Sequence, residues 1–188
     1  MSVTMRELVL FDEFLPEHNS SLIETMEDAV VVFTQHCLKL AYQMYDLDFD
    51  WAAVLDNAKR RAGQCRYRKQ EIGISRLFIS WATHEQIVQT VLHEIAHALA
   101  FELDDETGHG WSWRRWCREL GIEPERCTDY HDDVPLSALG NYAAICPDCP
   151  IGTRVGFRWK KPNPNRLYFC KQHDRELEWV DVALLEGS

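Results

Sequence analysis

The chain has 188 residues, 46% of them hydrophobic and 27% charged, with seven Trp, six Tyr and eight Phe. That balance excludes a disordered chain, and the length allows one packed core plus a small satellite module rather than a repeat array. A formal net charge of −10 argues against a simple polyanion binder, so any affinity for nucleic acid has to come from local basic surface.

Apolar residues from Leu22 to Met44 recur at three- and four-residue steps, which predicts a helix over 20–45 capped by Ser20 or Ser21. Its stripe includes Phe33 and Cys37, and His36 falls on the solvated side. Asp48–Asn57 reads as a turn and a short helix. Gly63 breaks the chain, and 64–75 reads as a strand pair; Leu77–Trp81 reads as an edge strand or a loop. Thr83 followed by Gln86 is a capping box, which opens a helix from about 84 to 102 with Val88, Leu92, Ile95 and Leu99 on its core face. An acidic, glycine-rich turn at 104–110 leads to a third helix that begins near Trp111, turns Trp113, Trp116 and Leu120 inward and stops at Gly121. Residues 122–143 look irregular. From Ala143 the pattern is short, β-like and cysteine-rich, the mark of a separate module.

The helix read from about 84 to 102 carries chemistry. His93-Glu94-Ile95-Ala96-His97 is an HExxH motif, and histidines four apart on a helix can both reach one Zn²⁺. Glu94 sits beside that face as the general base for a water whose pKa zinc lowers from 15.7 toward about 7. Gly108 and Gly110 let the backbone bend His109 back toward the pair. Three protein ligands with a fourth position open is the arrangement of a catalytic zinc.

A second, closed set follows. Cys146-Pro-Asp-Cys149 and Cys170-Lys-Gln-His173 have the spacing of a structural Cys₃His zinc ribbon, and a module this small depends on metal to fold. Between the two pairs lie Arg154, Arg158, Trp159, Lys160, Lys161 and Arg166 with no acid among them. Cations beside aromatic faces are the composition of a single-stranded nucleic-acid surface, with Phe157 and Trp159 as stacking faces. A second basic run, Lys59–Lys69, reads equally well as a solvated face. Cys65, Cys117 and Cys127 read as small apolar side chains; Tyr130 and His131 read as surface residues of the 122–143 segment, with oxyanion donation as the alternative.

The HExxH helix, the Gly-His-Gly histidine, the Trp-rich helix after it and the segment Ala62-Gly63-Gln64-Cys65 resemble the SprT-like metalloprotease family over about residues 20–180. The resemblance implies an α+β zincin-like domain at 1–142, a zinc ribbon at 143–188, and proteolysis of DNA-associated or DNA-crosslinked proteins. It also implies His93, His97 and His109 as catalytic-zinc ligands and Glu94 as catalytic base. Two rival functions fit the same motifs: a non-catalytic zinc-stabilised DNA-associated protein, and a regulatory peptidase with one dedicated repressor as its target. No apolar run reaches the roughly 18 residues of a membrane span. The acidic N-terminus does not resemble a signal peptide. The odd count of seven cysteines suits thiols and metal ligands. A cytoplasmic, DNA-associated location is therefore expected, with no membrane partner. Oligomeric state has no signature in the sequence.

Overall fold

A computed structural model of the protein describes residues 4–18, 23–47, 50–59, 61–125, 135–150 and 154–186. The chain divides into two compact units, Met1–Asp129 and Tyr130–Ser188. In the first, α1 (Met5–Leu8), α2 (Met26–Tyr45), β1 (Ala52–Asp56), β2 (Gly63–Arg66), β3 (Glu71–Ser75), α3 (Arg76–Ile79), α4 (His84–Asp104) and α5 (Trp111–Leu120) follow in order. The architecture is mixed α+β.

Helix α2 begins later than its predicted start at 20. Ser20 and Ser21 lie outside the described residues, and Thr25 is the cap. Its hydroxyl accepts from the Asp28 N–H at 3.1 Å while the Asp28 carboxylate accepts from the Thr25 N–H at 3.0 Å, so two orphan donors are satisfied reciprocally. Phe33 and Cys37 are fully buried as the spacing predicts, whereas Met44, near the end, is 39% exposed. His36 is exposed.

The short helix expected within 48–57 is instead β1, paired in parallel with β3 from Ala52↔Glu71 to Asp56↔Ser75. Alanine and leucine favour a helix locally, but pairing across the sheet overrides that preference. The sheet order is β1-β3-β2, with β2 and β3 antiparallel, which is the strand pair read at 64–75. The side-chain amide of Gln35 on α2 donates to the Trp51 carbonyl at 3.1 Å and accepts from the Ala53 N–H at 3.0 Å. It stands in for a neighbouring strand and blunts the free edge of β1. Leu77–Trp81 is not a strand either: α3 is a helical turn whose start is capped by Ser75, with Phe78 and Ile79 buried.

Helix α4 is capped by Thr83 with Gln86 as predicted. Every residue from Thr90 to Ala100 is buried, so it runs through the core rather than lying on it. The histidines lie off the Val88–Leu99 face, yet they too are buried. Helix α5 crosses α4 and ends at Gly121, whose φ of 87° is the left-handed conformation that the glycine stop predicted.

The second unit holds α6 (Leu136–Leu139), β4 (Tyr142–Ile145), β5 (Arg154–Arg158), β6 (Glu178–Asp181) and α7 (Val182–Glu186). Its strands are antiparallel in the order β5-β4-β6. Cys146, Cys149 and Cys170 form a buried cluster with Leu177 packed on it. Among the described residues, no helix is long and apolar enough to cross a membrane.

Asp56 closes β1 and gathers two arginines, Arg61 at 2.7 Å and Arg66 at 2.5 Å. Burial pushes its carboxyl up, but the hydrogen bonds from Arg61 and the Ala58 N–H and the charges of Arg61 and Arg66 outweigh that, so it sits below the ordinary aspartate range. Its stabilisation is therefore complete above the unfolded value of about 3.9 and is lost as pH falls through the folded one. Asp56→Asn is expected to be less stable than the parent in urea melts at pH 7, with the gap closing below about pH 4.

Candidate metal centre

Helix α4 sets His93 and His97 one turn apart on the same side. The chain leaves α4 through Asp105 at φ 50° and turns again at Gly108, where φ is 83°. His109 thereby returns to the helix it left. Its Nε2 lies 3.2 Å from Nε2 of His97 and 3.2 Å from Nε2 of His93. Ligands of a tetrahedral zinc bonded at about 2.0–2.1 Å stand about 3.3 Å apart, so His109 stands from each of the other two at the spacing that a shared cation requires, and all three ligand atoms lie within 4.8 Å of one another. Burial, and then the neighbouring imidazoles, push His93 down to about 4 and His97 down to about 3. Both rings are thus neutral near pH 7, the state in which imidazole ligates a metal.

Trp113 forms the floor under all three rings. It stacks on His97 at 5.4 Å between centroids and meets His109 edge-on at 4.5 Å and His93 at 4.9 Å. Its indole N–H donates to the His93 carbonyl at 3.4 Å. The sequence marked Trp113 as inward-facing core; its contact with the three histidines follows from the crossing of α5 over α4, which no spacing encodes.

Glu94 is 4% exposed, and its carboxylate accepts from the backbone N–H of Cys65 on β2. Burial pushes it up to about 8, against that N–H and the charge of Arg61. The strand approaches so closely because position 63 is glycine. A Cβ there would stand 2.7 Å from Glu94 Cγ and 3.0 Å from Thr90 Cγ2.

The second cluster lies in the other unit. Sγ of Cys149 and Cys170 are 3.9 Å apart, and His173 Nδ1 is 3.4 Å from Cys149, 3.7 Å from Cys146 and 3.7 Å from Cys170. Zinc bonds of about 2.3 Å to sulfur predict about 3.8 Å between thiolates and about 3.5 Å from thiolate to imidazole. The Gln172 and His173 N–H groups pull the Cys170 thiol down to about 6, toward the thiolate that ligates. Both clusters thus fit a tetrahedral ion, the first with three donors and the second with four.

Of the predicted nucleic-acid residues, Arg158, Trp159, Lys160, Lys161 and Arg166 are exposed, and Phe157 is half-buried. The Arg158 guanidinium lies over Tyr168 at 4.8 Å and Trp179 at 5.7 Å. Lys161, Arg166, Tyr142, Tyr168 and Trp179 border a groove of about 260 Å³. Arg154 opens β5, but its side chain lies outside the described part, as do Cys127, Tyr130 and His131. Arg61 and Arg66 of the other basic run are paired with Asp56 and Glu71. Cys65 and Cys117 are buried.

Fold and site together define a class: a mixed α+β protein with two side-chain clusters suited to metal. Its family follows from comparison. The profile of the SprT-like family matches residues 25–131, and the chain belongs to that family. It is 36% identical over 89 residues to Protein SprT of Pseudomonas putida, covering 45% of this chain and 52% of that one. Against Protein SprT of Pseudomonas fluorescens it is 26% identical over 160 residues, covering 81% and 94%. The germ cell nuclear acidic protein of Drosophila melanogaster is 25% identical over 134 residues, 67% of this chain. The chain spans 12% of the fly protein and about half of the Pseudomonas putida one. No solved structure matches.

The fit of Gly63 against Glu94 gives a direct test. Gly63→Ala should cost about 1–3 kcal/mol by overpacking, read in denaturant melts. In a Glu94→Ala background the same substitution should cost much less, because the crowded side chain is gone.

Proposed function

We propose that the protein is a zinc metalloendopeptidase of the SprT type that cleaves DNA-associated or DNA-crosslinked proteins. In this reading residues 1–142 are a zincin-like peptidase domain with α4 as the active-site helix, and 143–188 are a zinc ribbon. The observation that carries it is His109 Nε2 standing 3.2 Å from Nε2 of both His93 and His97, beside a buried carboxylate on the helix of that pair. His93, His97 and His109 would hold the catalytic ion, while Cys146, Cys149, Cys170 and His173 would hold a structural one. Bound there, a zinc ion supplies Lewis acidity, polarising the scissile carbonyl and acidifying water. Burial keeps Glu94 protonated in the absence of an ion; a cation beside it would favour its carboxylate, which would take the proton from the attacking water and return it to the leaving amine nitrogen. Trp113 and the core around α4 keep the imidazoles fixed and exclude bulk water from behind them.

Single-stranded DNA is the proposed partner of the ribbon, through Arg154, Arg158, Lys160, Lys161 and Arg166 with Trp159 as a stacking face. The exposure of Trp159 and of four of these cations supports that assignment, and it implies a DNA-associated, cytoplasmic site of action. The fly relative is by name a nuclear protein, which fits work near DNA without fixing a substrate.

The test is cleavage of a DNA-binding protein by the parent and by Glu94→Gln, with and without single-stranded DNA. Cleavage by the parent alone, stimulated by DNA, is expected. Equal cleavage by both chains, or by neither, would refute the peptidase assignment. Elemental analysis should find two zinc ions per chain. Trp159→Ala should weaken single-strand binding by about one to two orders of magnitude, since one stacked base is worth roughly 1–3 kcal/mol. Unchanged affinity in that variant would remove Trp159 as a stacking face.

A further inference from the structure

With Nε2 of His97 turned toward His93 and His109, its other ring nitrogen is where the protein can set the tautomer. That nitrogen, Nδ1, lies 3.3 Å from the Tyr67 hydroxyl. The same hydroxyl accepts from the backbone N–H of Gly108 at 3.4 Å, one residue before His109. Tyr67 opens the short 3-10 turn Tyr67–Lys69 directly after β2. Its ring packs on Phe101 of α4 at 5.0 Å and stands edge-on to His97 at 6.5 Å. One oxygen therefore touches an imidazole on α4 and the turn that delivers another.

We infer that Tyr67 is a positioning residue for the three-histidine site, its hydroxyl oxygen accepting from His97 Nδ1–H and Gly108 N–H and so holding two of the three imidazoles in ligating geometry. This rests on the metal-centre reading above. A neutral imidazole carries one N–H. With the proton on Nδ1, the Nε2 lone pair is free for a metal; the opposite tautomer would aim a proton into the site. An acceptor at Nδ1 selects the first arrangement, and the phenol oxygen has room for two donors. The second donor matters because Gly108, at φ 83°, is the left-handed turn immediately before His109, and a Cβ there would meet nothing within 4 Å. The bond from its N–H to Tyr67 ties that turn to the segment that follows β2. Partners of this kind are worth about 10–100-fold in metal affinity when removed.

Tyr67→Phe keeps the ring against Phe101 and deletes only the oxygen. Zinc release from the full-length chain is followed against increasing chelator; the histidine step is the one missing in His97→Ala. The expected result is a histidine step weakened about 10–100-fold in Tyr67→Phe, an unchanged cysteine step, and unchanged thermal unfolding of the metal-free chain. Nitrogen-15 spectra of the metal-free protein should show His97 in the Nδ1–H form in the parent and in a mixture of tautomers in Tyr67→Phe. Unchanged zinc affinity in Tyr67→Phe would overturn the inference. So would an equal loss of metal-free stability, which marks a packing role. A parent with no His97-dependent step would remove the metal centre itself, and the positioning role with it.

Discussion

Burial of His93, Glu94 and His97 in the middle of α4 is the constraint on which the rest of the first unit depends. His93, Glu94 and His97 lie in a stretch where every residue is hidden from solvent, and His109 is folded onto them. Polar groups removed from water are costly unless each finds a partner. The imidazoles meet one another, Trp113 and Tyr67, and the carboxylate meets the Cys65 N–H. Three nitrogen lone pairs aimed at one point repel unless a cation or protons lie between them. The pocket's own burial disfavours a second proton on His93 and His97, and a shared metal ion is a partner that fits all three.

Delivery of His109 depends on carboxylates that look at first like mere solubilising charge. Asp104, at the end of α4, accepts from the Ser112 hydroxyl, from Arg115 at 2.6 Å and from the Trp116 indole at 2.7 Å. Burial opposes these bonds, but the hydrogen bond from Ser112, the largest influence, and those from Trp116 and Arg115 hold its carboxyl below the ordinary range. Glu106 accepts from the Ser112 N–H at 3.2 Å at the N-terminal end of α5, where negative charge is favoured. Its carboxylate lies where a side chain at Gly110 would go. The turn between α4 and α5 is thus clamped from both sides, and the histidine between the clamps has little freedom.

Local signals were legible where a side chain acts on its own neighbourhood. Thr83 and Gln86 announced α4, Gly121 announced the end of α5, and the HExxH motif with His109 and the paired cysteine knuckles announced the two clusters. What escaped depends on distant partners. Ala52–Asp56 has the composition of a helix and becomes a strand because β3 lies alongside it. Helix α2 begins at Met26, where Thr25 and Asp28 exchange reciprocal hydrogen bonds at the cap. Gly63 was legible as a chain break, yet its closeness to Glu94 arises only when β2 is laid on α4. Tyr67 and Trp113 were invisible as site residues for the same reason, since their roles are set by the crossing of elements that are far apart in sequence.

The central claim is that the three imidazoles share one ion. Anomalous X-ray diffraction at the zinc edge, from crystals of the full-length chain prepared with zinc, tests it most directly. A peak about 2.0–2.1 Å from Nε2 of His93, His97 and His109, together with one among Cys146, Cys149, Cys170 and His173, is the predicted result. A peak at the cysteine cluster with none among the histidines would contradict it.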